Sequence, residues 1–326
     1  MPHATLRRAV LRFIVLAAAA LPAAVHAEDY PSRPIRMIVP FAPGGPADLL
    51  GRAVAPGMSA YLRQPVVIEN HAGAGGATGV DTVVKAAPDG YTIGITGPGA
   101  LVAVPFMTKV PYDPMRDVVP IARVAEVNAV IIVAADSPYK TLADLVAAAK
   151  AAPGKLMFGS AGAGTITHLA GELLNMEAGI KLVHVPYRGA VPASTDLLGG
   201  HIQCMLPDLP GVAGLIRAGS VRALAVTSRT RSIYLPDVPT TAEAGFPNVI
   251  SDSWYGLIAP RGIPQAVLDK LYAAAADAIG TPDAKDQIAK QSAVSALTTP
   301  QGFASLIAEE QARWKRVIET TGARME

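Results

Sequence analysis

Two glycine-rich stretches hold the residues best placed to do chemistry. The first is Phe41-Ala42-Pro43-Gly44-Gly45-Pro46-Ala47-Asp48, and the second is Ser160-Ala161-Gly162-Ala163-Gly164-Thr165. Each follows a short apolar run and opens onto a helical pattern. A turn of this kind leaves backbone N–H groups unpaired at the positive end of a helix, which is an anion site made of backbone. Ser160 and Thr165 add hydroxyls that can hydrogen-bond a carboxylate. Ordinary strand-to-helix turns and simple helix capping by Thr165 explain the same residues. The observation favouring a binding role is the pair: one such turn in each half of the chain, as two anion cradles facing across a cleft. Asp48 is the wrong charge for an anion site. Its expected role is to accept hydrogen bonds from the loop amides or from ordered water, with capping as the alternative.

Other candidates are weaker. His168 and Glu172 stand four apart on one helix face, but zinc needs further ligands and no His-Glu-x-x-His pattern exists. The expectation is no metal and a hydrogen-bonding histidine. Arg188 can pair with a carboxylate through its guanidinium fork, or be a solvated loop arginine. Phe41, Tyr187, Trp254 and Tyr255 fall near loops and could line a pocket, core packing being the alternative for each. Enzyme signatures are missing: Phe158 stands where Gly-x-Ser-x-Gly needs its first glycine, and no phosphate-binding Gly-x-x-x-x-Gly-Lys occurs. Ser160, His168 and Asp208 can be assembled into a triad on paper, which leaves an exported serine hydrolase as the rival reading.

The elements around these loops repeat an α/β rhythm. Strands are expected at 35–39, 65–69, 92–95, 130–134, 155–159, 181–185, 202–206, 221–226 and 256–259. Helices follow the two glycine turns and cover 142–151, with Thr141 as N-cap, and 195–198. Thr240 and Glu243 have the spacing of a capping box opening a helix. Pro264 opens a long helix, and two more cover 282–291 and 300–320. Strand–helix alternation argues for mostly parallel sheets flanked by helices, whose ligands sit at the strand ends. The rhythm restarts near residue 128. The expected lobes are therefore 28–126 with 252–326, and 127–251.

The first 27 residues read as a secretory signal peptide. Arg7, Arg8 and Arg12 precede a short apolar run from Phe13 to Leu21, and Val25-His26-Ala27 supplies small cleavage residues. The sequence has 28 Lys+Arg against 26 Asp+Glu, so loss of three arginines leaves it slightly acidic. That balance argues against nucleic acid or an anionic membrane as partner. Cys204 is the single cysteine. It excludes an intrachain disulfide, and its apolar neighbours suggest a buried, inert thiol.

The motifs, taken together, resemble the tripartite tricarboxylate transporter receptors, or Bug proteins. The resemblance runs through Tyr30-Pro31-Ser32-Arg33-Pro34, Val39-Pro40-Phe41, Pro43-Gly44-Gly45 with Asp48, Glu69-Asn70 with Gly73-Ala74-Gly75-Gly76, and Pro88-Asp89-Gly90-Tyr91. It continues through Gly162-x-Gly164-Thr165, His168-Leu169-Ala170-Gly171-Glu172, Val185-Pro186-Tyr187-Arg188-Gly189, Pro236-Asp237-Val238-Pro239 and Trp254-Tyr255-Gly256. It implies a two-lobed periplasmic binding protein of the type II kind, with no catalysis and no cofactor. It implies a monomer that closes on a small carboxylate and presents it to membrane permease subunits. Carried over, the ligand-binding residues are Phe41, Ala42, Gly44, Gly45, Ala47 and Asp48 from the first loop, and Ser160, Ala161, Gly164 and Thr165 from the second. His168, Arg188 and Asp208 are added as candidates. Pro46-Ala47 departs from the family, which often has a further Gly, Ser or Thr there. His71-Ala72 replaces a frequent Arg-Pro. Both departures imply a less polar ligand. A carboxylate sensor serving a signalling partner fits the same residues.

Overall fold

The computed structural model describes residues 30–325; the expected signal peptide lies outside them. Six strands form one sheet: β1 (Ile35–Val39), β2 (Val66–Asn70), β3 (Thr92–Thr96), β4 (Val118–Val127), β10 (Ser253–Pro260) and β11 (Ala293–Ser295). Their spatial order is β11-β4-β10-β3-β1-β2. Five more form the second sheet: β5 (Val130–Ala134), β6 (Met157–Ser160), β7 (Val183–Pro186), β8 (Cys204–Met205) and β9 (Val221–Val226). Their order is β7-β6-β8-β5-β9. The result is the expected two-lobed α/β architecture.

Both sheets are mixed rather than mostly parallel. β1 runs parallel to β2 and β3, and β6 parallel to β7 and β8. β10 pairs antiparallel with β3 and β4, and β5 antiparallel with β8 and β9. Only strands joined by a crossover helix are held to the parallel sense. β4 leads out of the first sheet and β10 returns to it, so neither is under that constraint. β4 and β11 are additions to the sequence reading, and β8 is shorter than expected.

The helices follow local chemistry. α1 (Pro46–Leu62) begins with Gly45 as N-cap and proline in its first turn. α2 spans Ala77–Val84. α3 (Leu142–Ala151) has Thr141 as N-cap in a capping box completed by Asp144. α4 is Ile166–Ala178, α5 Ala190–Leu198, α6 Gln265–Gly280, α7 Pro282–Lys290 and α8 Pro300–Thr321. α5 starts well before the expected Thr195. Thr240 and Glu243 make both reciprocal capping bonds, yet a turn follows instead of a helix. Gly245 at φ 94° reverses the chain after one turn, and Pro247 lies just beyond.

Each sheet buries its own apolar residues against its helices. One further cluster joins the lobes: Ile166, Leu169 and Leu173 of α4 pack with Leu101, Trp254 and Trp314 of the first lobe. That contact anchors α4, and with it the second glycine loop, against the neighbouring lobe. The two passages between sheets are also tied together. Thr227 N–H donates to Ala129 O, and Ser251 N–H donates to Thr227 O.

Candidate functional site

Both glycine loops leave the ends of strands and meet across a cleft of about 880 Å³. The first supplies Phe41, Ala42, Gly44, Gly45 and Ala47 to its wall, and the second supplies Ser160, Ala161 and Thr165. The turn Gly73–Gly76 after β2 and Gly97–Gly99 after β3 complete the first lobe's side. Most of the lining is backbone or apolar. Its titratable side chains are Arg188, Asp208 and Tyr255.

The first loop is already organised around an anion, and that anion is Asp48. Its side chain is 2 % exposed and is not among the cleft-lining residues. The carboxylate accepts the Gly44 N–H at 2.9 Å, the Asn70 amide at 3.0 Å and both arms of the Arg52 guanidinium at 3.0 Å. Burial alone would raise its pKa, but these hydrogen bonds outweigh it and hold the carboxyl below its usual range. Gly44 has φ 84°, a geometry that turns its N–H back onto Asp48 at no side-chain cost. Gly45 N–H reaches Ala42 O at 3.4 Å. Pro46 has no N–H, so Ala47 and Asp48 supply the unpaired amides of the helix start.

The second loop is organised differently. The Ala161 N–H donates to the Thr167 hydroxyl, Gly162 N–H to the Ser160 hydroxyl, and Gly164 N–H to His168 Nδ1. Thr165 caps α4 by accepting the His168 N–H at 3.4 Å, and donates its own proton to Gly162 O at 2.6 Å. The Ala163, Ile166 and Thr167 N–H groups have no hydrogen-bond partner among the described residues. Among the described residues no carboxylate fills this loop. Gly164 has φ 77°, and a Cβ there would lie 2.9 Å from the Met325 sulfur, so only glycine fits both the turn and the close approach of the C-terminal segment.

His168 is 3 % exposed and lies behind the loop, outside the cleft wall. It stacks on His184 with ring centroids 3.7 Å apart and planes 9° from parallel. His184 Nε2 lies 2.6 Å from Ser160 Oγ. Sequence reading missed His184. The usable signal was alternation in Leu182-Val183-His184-Val185, which puts it on the same strand face as the buried Leu182. Burial drives the pKa of His168 to about 4; burial, then the neighbouring His168, drives that of His184 to about 3. Both rings are neutral at pH 7.

The paper triad does not form. The imidazole on Ser160 is His184, while His168 faces the Gly164 N–H and, at 3.9 Å, Glu172. Asp208 is bonded elsewhere: its two oxygens accept the Ser253 hydroxyl at 2.7 Å and the Tyr255 hydroxyl at 3.1 Å. It lies on the cleft floor, joining the second lobe to β10 of the first, rather than at the rim. It is part-buried and lines the cleft on its open side. Burial raises its pKa to about 6, the two hydroxyls pulling against that.

Arg188 lines the cleft with no hydrogen-bond or ion-pair partner among the described residues. Its segment is held against the second loop: Tyr187 N–H donates to Ser160 O and Gly189 N–H to Ala161 O. Phe41 and Tyr255 line the cleft. Trp254 is core, edge-on to Phe303, and Tyr187 turns away to donate to Asp196. Cys204 is fully buried, with its thiol pushed up to about 12 by burial.

Comparison with known proteins agrees with the two-lobed fold. Residues 50–323 match the family described as "Tripartite tricarboxylate transporter family receptor". The solved periplasmic binding protein BugD is 34 % identical, with a TM-score of 0.81 over 91 % of this chain and 100 % of that one. MatC from Rhodopseudomonas palustris, solved with malate, is 32 % identical with a TM-score of 0.80 over 89 % of this chain and 100 % of that one. Rpa4515 from R. palustris, solved with adipate, is 32 % identical with a TM-score of 0.84 over 91 % and 100 %. The chain belongs to the tripartite tricarboxylate transporter receptor family of solute-binding proteins.

Proposed function

We propose that the protein is a periplasmic receptor that traps a small carboxylate between its lobes for uptake by a membrane permease. The observation that carries this reading is the second glycine loop. It points the free N–H groups of Ala163, Ile166 and Thr167 from a helix start, with unpaired Arg188 on the adjoining segment. Backbone donors at the positive end of a helix, beside a guanidinium, suit a carboxylate. Malate and adipate in the solved relatives are ligands of that class. The Arg7–Ala27 leader supports export, and family membership supports a permease as the partner that reads the closed shape.

Ser160 belongs to this site as a shaping residue: its hydroxyl accepts the Gly162 N–H beside His184. No carboxylate orients His184, and its low pKa makes it a weak base. The test is thermal unfolding of protein refolded from denaturant, against mono-, di- and tricarboxylates, amino acids and phosphate. A ligand at a hundred times its Kd adds about 2.7 kcal/mol, a rise of at least several degrees for a chain this long. A carboxylate-selective rise is expected. A rise with phosphate alone, and none with any carboxylate, would refute the reading.

A further inference from the structure

The two glycine loops look alike in sequence and differ in what they hold. The first contains its own carboxylate. Asp48 takes the Gly44 N–H and is itself held by Asn70 and Arg52, while the Ala47 and Asp48 N–H groups stay unpaired among the described residues. Pro46 removes one more donor, and Ala47 brings no hydroxyl. Both arms of Arg52 match the Asp48 charge, so this loop adds no unpaired charge to the cleft. The second loop holds no acid and has Arg188 beside it. The cleft floor carries a second acid, Asp208, whose oxygens are bonded to Ser253 and Tyr255 and whose remaining edge faces the cleft. Among the described residues Arg188 is the single cation lining the cleft, and Asp208 on the floor the single acid. The rest of the wall is apolar or backbone, including Phe41, Pro43, Pro98, Val191 and Met205.

We propose that this cleft selects a monocarboxylate with an apolar body, and that Asp208 discriminates against a second carboxylate. The single carboxylate sits on the second loop with Arg188. The body lies along the apolar wall towards Phe41. A second carboxylate at the first loop would find only the Ala47 and Asp48 N–H groups, with no hydroxyl and no cleft-lining cation of the described residues beside them. It would also face Asp208 between the protein walls of the cleft, where like charges are screened less than in bulk water.

This rests on the carboxylate-receptor reading, and the test separates the two. Refolded protein is titrated calorimetrically at pH 7.5 with benzoate, 4-hydroxybenzoate, phenylacetate and octanoate, and in parallel with malate, adipate and citrate. The expected result is at least one monocarboxylate binding about tenfold or more tighter than any di- or tricarboxylate, roughly the cost of one unfavourable charge contact. Asp208→Asn removes the floor charge while keeping an acceptor for the hydroxyls, and is expected to narrow that preference by about tenfold. If malate, adipate or citrate binds wild-type protein as tightly as the best monocarboxylate, the selectivity proposal is overturned and the receptor reading stands. If no carboxylate of either set binds, both fall. Should Asp208→Asn not fold, the wild-type ranking decides alone.

Discussion

Replacing Asp208 by asparagine should make the protein's stability respond differently to pH, by an amount the structure sets. The folded carboxyl has a pKa of about 6 against an ordinary 3.8, because burial between the lobes disfavours its charged form. A shift of about two units corresponds to about 3 kcal/mol. The group is only part-buried and lines the cleft, so solvent screening brings the figure down to about 2 kcal/mol. The sign follows from proton binding. Between pH 4 and pH 6 the folded state holds a proton that the unfolded state has released. The contribution of Asp208 is therefore present at pH 4 and lost as the pH rises through 6. Asparagine does not titrate. The stability of Asp208→Asn relative to wild type should rise by about 2 kcal/mol from pH 4 to pH 7. Asp252, with a pKa raised to about 7, mainly by burial, titrates nearby, as do the buried histidines. These groups are common to both proteins and cancel in the difference, provided the variant keeps the Ser253 and Tyr255 contacts. Urea unfolding of both proteins at four pH values measures it through paired midpoints and slopes. A difference that stays constant across the range would show that Asp208 is solvated, and the account of the cleft floor would be wrong.

Two further outcomes follow from the loops. Asp48→Ala strands the Gly44 N–H and the Asn70 amide and leaves Arg52 unpaired; it should cost about 1–3 kcal/mol in chemical denaturation, and Arg52→Ala clearly less, since that guanidinium is half exposed. The neutral pair His168 and His184 titrates in the unfolded chain near 6.5 and in the fold at about 4 and about 3. Their depressed values make stability fall as the pH drops below 6.5. His184→Asn should flatten that part of the profile relative to wild type, and an unchanged slope between pH 6.5 and pH 4 would count against a buried neutral stack.

Much of the architecture was legible because it is encoded locally. The Thr141 capping box, the run from Ile35 to Val39, the proline-led start of α1 and the Thr165 cap each depend on residues within one turn or strand. β4 was missed because Val118–Val127 contains Pro120 and charged Arg123 and Glu126, and only its place between β10 and β11 makes it a strand. The Thr240–Glu243 cap was read correctly and its helix was not, since Gly245 ends the turn that the cap begins.

For the site, chain order placed both glycine loops at strand ends, because glycine spacing and helix starts are properties of a few neighbouring residues. Which loop is free was a different matter. Asn70 reaches Asp48 from another strand, His184 reaches Ser160 from the next strand of its sheet, and Ser253 with Tyr255 reach Asp208 from the other lobe. Hydrogen bonds and burial are set by groups brought together from distant positions. The sequence by itself thus determined the family, the two cradles and the backbone chemistry they offer. Only the tertiary structure decided that one cradle holds the chain's own carboxylate, that His168 stands behind the other, and that Asp208 closes the floor.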